Sequence, residues 1–381
     1  MGDRRVRLRP GTLPPQMTRN FNRSLRGRRR RALFIAISGV GVLVVASSVT
    51  WELNASSGNR LPRAEPTTSA LKPSDTSTSH ATGSPEVTVV GTYRVGTTNL
   101  DITEATSPAG GMSRVLPTVV WYPEHQAGNW SAPDLAHAPY PLLVFSQGYD
   151  LSVSAYAGLL EDWASAGFVV AAPTYPDTDP SDPAALDEND IVNHPADLRF
   201  VITTLLGDAR APGSVLSGLV NAAEIGLVGH SDGGDVSLAV AANSCCRDAR
   251  VKAAAILSGA ELTAFGGRYF AGNTVPLLVV QGSADTINVP ACSAQIYDAA
   301  RPPKYYLDLV AAMHEPPYTE PGTTDQEVVA KITTEFFDAE LAGQSTAIGT
   351  ILADGDVIGA TQITDSASAP PSSGTCPGAP G

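Results

Sequence analysis

Cysteine is scarce in this chain: four residues in 381, none before position 245. One adjacent pair, Cys245-Cys246, and two distant singles, Cys292 and Cys376, do not make the paired spacing of a zinc site. Positive charge is scarce too, once past the N-terminus. Residues 1–31 hold 11 arginines against one aspartate, whereas the rest holds 14 basic against 37 acidic residues, a net of −23. No internal repeat and no heptad pattern is present, which excludes solenoids and coiled coils. Long charge-free runs are missing apart from Ala32 to Trp51.

That run has the length needed to cross about 30 Å of hydrocarbon as a helix. The arginine block before it (residues 1–31) favours a cytoplasmic N-terminus. Residues 32–51 are therefore expected to be a transmembrane signal anchor, and the acidic body to be exported. The alternative is a cleaved signal ending near Ala46-Ser47-Ser48 and a secreted protein. No cysteine near the end of the run excludes lipoprotein anchoring. Because the apolar run follows the arginines directly, nucleic acid is not an expected partner. Residues 52–86, rich in Ser, Thr, Pro and Ala, cannot build a core and read as a disordered linker. Residues 344–381 resemble that linker and read as a partly disordered C-terminal tail. The folded body is expected over 87–343.

Within the body, Ile225-Gly226-Leu227-Val228 leads into Gly229-His230-Ser231-Asp232-Gly233 and then a helical stretch, Asp235 to Asn243. This is strand, tight turn, helix, the context in which G-x-S-x-G presents a serine nucleophile on a strained turn. Glycines two residues to either side are required because a Cβ there would strike the neighbouring strand or helix.

An acid and a base follow in order. Asp285 stands just past the apolar run Pro276 to Gln281, and His314 four residues past Tyr305 to Val310. A serine hydroxyl needs an imidazole to take its proton, and the imidazole needs a carboxylate to orient it. Asp308 competes as the acid but lies inside a strand pattern. Among the other histidines, His80 and His125 lie in linker or loop, His137 precedes a strand, His194 opens a helix, and His230 packs within the turn. The expected oxyanion donors are the backbone N–H groups of Asp232 and of Tyr149, the latter after Pro141 to Gly148.

On these residues the chain resembles the α/β-hydrolase superfamily. More narrowly it is similar to dienelactone-hydrolase-like, platelet-activating-factor-acetylhydrolase-like and cutinase/polyester-hydrolase-like serine esterases. The resemblance rests on Thr118 to Pro123, Phe145 to Tyr149, Gly167 to Pro173, Gly229 to Gly234, Asp285-Thr286-Ile287 and His314. Two residues depart from it: Gln147, where many relatives have His or Pro, and Ser231, where dienelactone hydrolases proper use cysteine. It implies an α/β fold, a mostly parallel central sheet flanked by helices, and hydrolysis of small-molecule or lipid esters without metal or other cofactor.

Alternating strand and helix patterns agree with that architecture. Helices are expected at Ala155–Ala166, Pro195–Leu206, Asp235–Asn243 and Gln326–Leu341, the last packing on the sheet through Val329, Ile332, Phe336 and Phe337. Val87 to Tyr93 and Thr118 to Tyr122 are expected as antiparallel edge strands. The short stretch Ser258 to Val275 leaves no room for a large lid. The acidic segment Asp177 to Asp190 reads as a solvated loop on the active-site side, its spacing matching no calcium loop. The cysteines fit an oxidising compartment. A bridge between neighbours strains the backbone, so one of Cys245 and Cys246 is expected to pair with Cys292 and the other with Cys376. Three readings stay open: an ester hydrolase, a cell-envelope acyltransferase with the same triad, and a catalytically silent surface binding protein. A monomer is favoured.

Overall fold

Residues 93–377, apart from 106–112, 126–131, 273–274 and 373, are described by the computed structural model. They all fall in one unit, residues 80–381. β1 (Arg94–Glu104) and β2 (Arg114–Glu124) form an antiparallel pair at one edge of a sheet, and β2 runs antiparallel to β4 (Val169–Pro173). β4 lies parallel to β3 (Tyr140–Ser146). From β3 the sheet continues in parallel through β5 (Val220–His230), β6 (Val251–Leu257), β7 (Leu277–Gly282) and β8 (Lys304–Leu309). β9 (Thr361–Thr364) runs antiparallel along the outer edge of β8. The order across the sheet is β1-β2-β4-β3-β5-β6-β7-β8-β9, and the two edges do not meet.

Side chains of a strand alternate between faces, so the uninterrupted apolar runs of the central strands require cover on both sides. Leu142, Val144, Leu227 and Val279 face one core, with Leu198, Val201 and Leu205 of α2 (His194–Asp208), Val240 of α3 (Asp232–Ala242) and Ile296 of α4 (Pro290–Ala299). Leu143, Phe145, Val228 and Leu278 face the other, with Trp163 of α1 (Ala157–Ser165) and Val329, Ile332, Phe336 and Phe337 of α6 (Thr324–Glu340). All four expected α6 residues are fully buried. Trp163 Nε1 donates to Thr333 Oγ1 at 2.7 Å and ties α1 to α6.

Two expectations are corrected here, and a third falls almost wholly outside the described residues. The first described strand is β1, starting at Arg94; of Val87 to Tyr93, residues 87–92 lie outside the described residues and Tyr93 is a bend. The segment after 343 is not only a tail: it forms α7 (Ser345–Asp354) and β9. Its order comes from partners that composition does not reveal. Ile351 is fully buried, Tyr297 Oη donates to Ser366 O at 2.6 Å, and Lys304 Nζ donates to Ala367 O at 2.9 Å.

The second correction concerns the disulfides. Cys245 pairs with its neighbour Cys246, and Cys292 with Cys376. The C-terminal segment runs beside α4, where Ala369 N–H donates to Asp298, and so delivers Cys376 to Cys292. Cys245 and Cys246 follow α3 in a turn held against residues 266–269, with Ser244 N–H donating to Arg268 O and Asn243 Nδ2 to Gly266 O. No other cysteine reaches them. All four expected cysteines are thus bridged, by a different connectivity. Among the described residues no helix is long and apolar enough to cross a membrane; Ala32 to Trp51, like the linker 52–86, lies outside them.

Candidate active site

Parallel strands joined by helical crossovers bring their carboxyl ends to one edge, and that edge collects the chemistry. Ser231 follows β5 and begins α3, at φ 55 and ψ −124. A non-glycine residue takes this conformation only where its surroundings enforce it. A Cβ on Gly229 would lie 2.0 Å from Gly233 O, and one on Gly233 2.0 Å from Ser146 O. The turn closes only because neither residue has a side chain.

Asp285 lies in the loop after β7. Its Oδ1 accepts from the N–H groups of Ile287 at 2.8 Å and Asn288 at 3.1 Å. Its Oδ2 accepts from Gln281 Nε2 at 3.2 Å and faces His314 Nδ1 at 2.7 Å. Burial opposes its ionisation, but the bond and charge of His314, with those backbone and amide donors, hold its pKa below the ordinary carboxylate value. His314, in the loop after β8, presents Nε2 at 2.8 Å from Ser231 Oγ. The carboxylate only accepts, so Nδ1 carries the proton and Nε2 a lone pair, which receives the serine O–H. Neighbouring loops are zipped together: Ala311 N–H donates to Ser283 Oγ at 2.7 Å and Ala284 N–H to Ala312 O at 2.9 Å.

Asp308 stands inside β8, opposite Gln281 and Gln362, where burial raises its pKa. It makes no bond to His314. The structure thus brings Ser231, Asp285 and His314 together and leaves Asp308 apart.

The loop after β3 faces the serine. A Cβ on Gly148 would lie 3.3 Å from Ser231 Cβ, so the bare backbone of this loop runs against the turn. Gly148 N–H is occupied by Tyr156 Oη at 3.2 Å. Tyr149 N–H has no protein partner among the described residues. Asp232 is the first residue of α3, whose N–H has no carbonyl one turn earlier in the helix. Two donors at a helix start and an adjacent loop can receive a developing negative oxygen.

The arrangement supplies a hydroxyl with a base on it, an ionised carboxylate behind the base and two open amide donors. Asp232, beside the serine, has its pKa pushed up to about 7 by burial and by Glu188, against the opposing charge of His314. Ile287 and Met313, each 61% exposed, flank Asp285 and His314 with apolar surface. Among the described residues of 258–276 there is only a short 3-10 turn, Thr263–Phe265, and no covering helix.

A family model described as Chlorophyllase, a family of the α/β-hydrolase superfamily of serine esterases, matches residues 130–261. The matched segment runs from ahead of β3 to just past β6. It contains Gly148, Tyr149 and the Ser231 turn, and ends before Asp285 and His314. Over those residues the chain is similar to that family, and the mostly parallel sheet described above is consistent with the α/β-hydrolase fold. No curated protein matches it.

Some residues of the site had no legible signal. Arg114, on β2, donates to Asp190 Oδ1 at 3.0 Å and to Asp197 at 2.7 Å. Asp190 was expected to be solvated; burial opposes its charge, yet bonds from His194 and Arg114 hold its pKa far below the usual range. His194 stacks on Tyr175 at 4.5 Å, and Tyr175 Oη lies 2.8 Å from Ser146 Oγ. Thr178 Oγ1 accepts from Gln147 Nε2 at 3.2 Å, and Asp150 N–H donates to Thr178 O at 3.1 Å. The acidic segment is therefore anchored at one end by a partly buried guanidinium and braces the Gly148 loop at the other.

Proposed function

We propose that the protein is a serine carboxylic-ester hydrolase working through an acyl-enzyme. The observation that carries this reading is the single histidine ring lying 2.7 Å from Asp285 and 2.8 Å from Ser231. Ser231 Oγ attacks the ester carbonyl carbon while His314 Nε2 takes its proton. The carbonyl oxygen, now an anion, is received by the N–H groups of Tyr149 and Asp232. On collapse the carbon–oxygen bond to the alcohol breaks, and His314 returns the proton to the leaving alkoxide. Water then repeats the sequence on the acyl-serine, with His314 again as base.

The substrate class we favour is an acyl or lipid ester of the platelet-activating-factor-acetylhydrolase type. The apolar Ile287 and Met313, beside an opening that no helix among the described residues of 258–276 covers, support it. Transfer of the acyl group to an alcohol other than water would use the same groups. We also place the enzyme outside the cell membrane, anchored by Ala32 to Trp51, with residues 52–86 as tether. Such a tether spans typically about 30–35 Å when flexible and at most about 120 Å extended. The charge asymmetry around residue 31 supports that topology.

A p-nitrophenyl ester chain-length series on the full-length protein tests the reading. Ser231→Ala should lower kcat by about 10⁴ to 10⁶ while the fold persists. A variant retaining a tenth of wild-type turnover would end it. Product analysis with added alcohol separates hydrolysis from transfer. Protease added to intact cells should digest the body and spare the N-terminal block; a mature N-terminus after Ser48 would mean a secreted enzyme instead.

A further inference from the structure

His230 is fully buried, and the ester chemistry proposed above gives it no task. Its Nε2 lies 2.9 Å from the carbonyl oxygen of His314, and its Nδ1 lies 2.8 Å from Tyr156 Oη. Tyr156 Oη also receives Gly148 N–H. A carbonyl can only accept, so the ring proton of His230 sits on Nε2. Nδ1 then holds a lone pair, Tyr156 donates its hydroxyl proton to it, and a remaining lone pair of Tyr156 takes Gly148 N–H. For a neutral ring, only this arrangement gives each of the three bonds one donor and one acceptor. A second proton on His230 would make Tyr156 Oη accept from both His230 and Gly148 and take away the acceptor of its own buried O–H. It would also place a charge 4.7 Å, centroid to centroid, from the ring that must become cationic. Burial first, and then repulsion from His314, pull the His230 pKa down to about 3, which keeps the ring neutral.

The two ends of this chain lie in the two loops that serve the proposed reaction. Gly148 precedes Tyr149, the loop donor to the oxyanion, and a Cβ on Gly148 would lie 3.3 Å from His230 Nδ1. His314 is the base, and its backbone carbonyl is the other end. We infer that His230 is a positioning residue, holding the oxyanion loop and the base-bearing loop at a fixed separation on either side of Ser231. The inference rests on the hydrolase reading of that serine. Displacement of either loop by about 1 Å is enough to cost about 10²-fold in rate.

The test compares the full-length protein with His230→Ala, His230→Gln and Tyr156→Phe. kcat is expressed per site titrated by a fluorophosphonate, so misfolded protein is not counted. His230→Ala should lower kcat about 10²-fold with KM within about twofold of wild type, since the loss falls on the transition state. His230→Gln, whose amide N–H can still reach the His314 carbonyl, should regain about tenfold, and Tyr156→Phe should lose about tenfold. Should the alanine variant fail to fold, the other two carry the comparison against wild type. A kcat within about twofold of wild type in the folded variants, or a loss confined to KM, overturns the inference. Nitrogen-15 NMR of the histidine rings at pH 7 gives an independent check: His230 should be neutral with its proton on Nε2, and a proton on Nδ1 overturns the bridge whatever the activity. A wild-type protein that shows this tautomer yet neither hydrolyses esters nor labels at Ser231 would sink the hydrolase reading while leaving the bridge in place.

Discussion

Gly229 and Gly233 approach so closely across the serine turn that a Cβ on the first would lie 2.0 Å from the carbonyl oxygen of the second. The contact is with backbone, which cannot swing aside as a side chain can. Gly229→Ala should therefore destabilise the protein by about 3 kcal/mol or more, at the upper end of overpacking effects. It should also abolish fluorophosphonate labelling in whatever fraction stays folded. Urea unfolding with labelling of the folded fraction checks both. A stable, fully labelled alanine variant would show that the turn tolerates a side chain and is not strained in the way described.

Two aspartates compete on sequence grounds, and geometry separates them. Asp285→Asn leaves His314 without its carboxylate and should lower kcat by roughly 10⁴. Asp308→Asn, within β8 and out of reach of the imidazole, should leave kcat nearly unchanged. Steady-state kinetics on both variants decides, and the reverse order of effects would reassign the acid.

Asp232 couples stability to pH. Its carboxyl has an ordinary pKa of 3.8 and is raised to about 7 in the folded state, first by burial and then by Glu188. The folded protein thus binds more protons than the unfolded chain between those values, and stability falls as pH rises through that window. Asp235, also raised by burial and by Asp232, acts in the same direction. Asp285 acts oppositely: its lowered pKa stabilises the fold above 3.8, and that contribution is lost as pH falls through its folded value. Asp232→Asn should match wild type in Tm near pH 4 and exceed it increasingly towards pH 8. Calorimetry across that range is the measurement, and parallel Tm curves would refute the assignment.

Cys292 and Cys376 enclose a long loop, 84 positions apart. On the chain-entropy model its closure contributes about 4–5 kcal/mol. Cys376→Ser should lower stability by up to about that amount and loosen the segment that includes β9. Non-reducing peptide mapping should yield the Cys292–Cys376 pair and an internally bridged Cys245–Cys246 peptide. A fragment joining Cys292 to either of the adjacent cysteines would contradict the connectivity.

The sequence by itself determined the alternation of apolar runs and helical stretches, the G-x-S-x-G turn and the order Ser231, Asp285, His314. These are local signals: burial on both faces writes an uninterrupted apolar run, and a crowded turn demands glycine where a side chain cannot fit. Because the central strands run parallel, residues just past three such runs meet at one edge without further instruction. The tertiary structure alone decided the rest. Arg114 meets Asp190 across 76 residues and Tyr156 meets His230 across 74. Nothing near either residue in the chain marks the pairing. β9 finds the edge of β8 through backbone hydrogen bonds, which any composition can make, so a segment resembling a linker became part of the sheet. The disulfide partners followed from where α4 and the C-terminal segment run. Hydrogen bonds and disulfides require their partners within tenths of an ångström, and such distances exist only after the sheet has brought distant segments together.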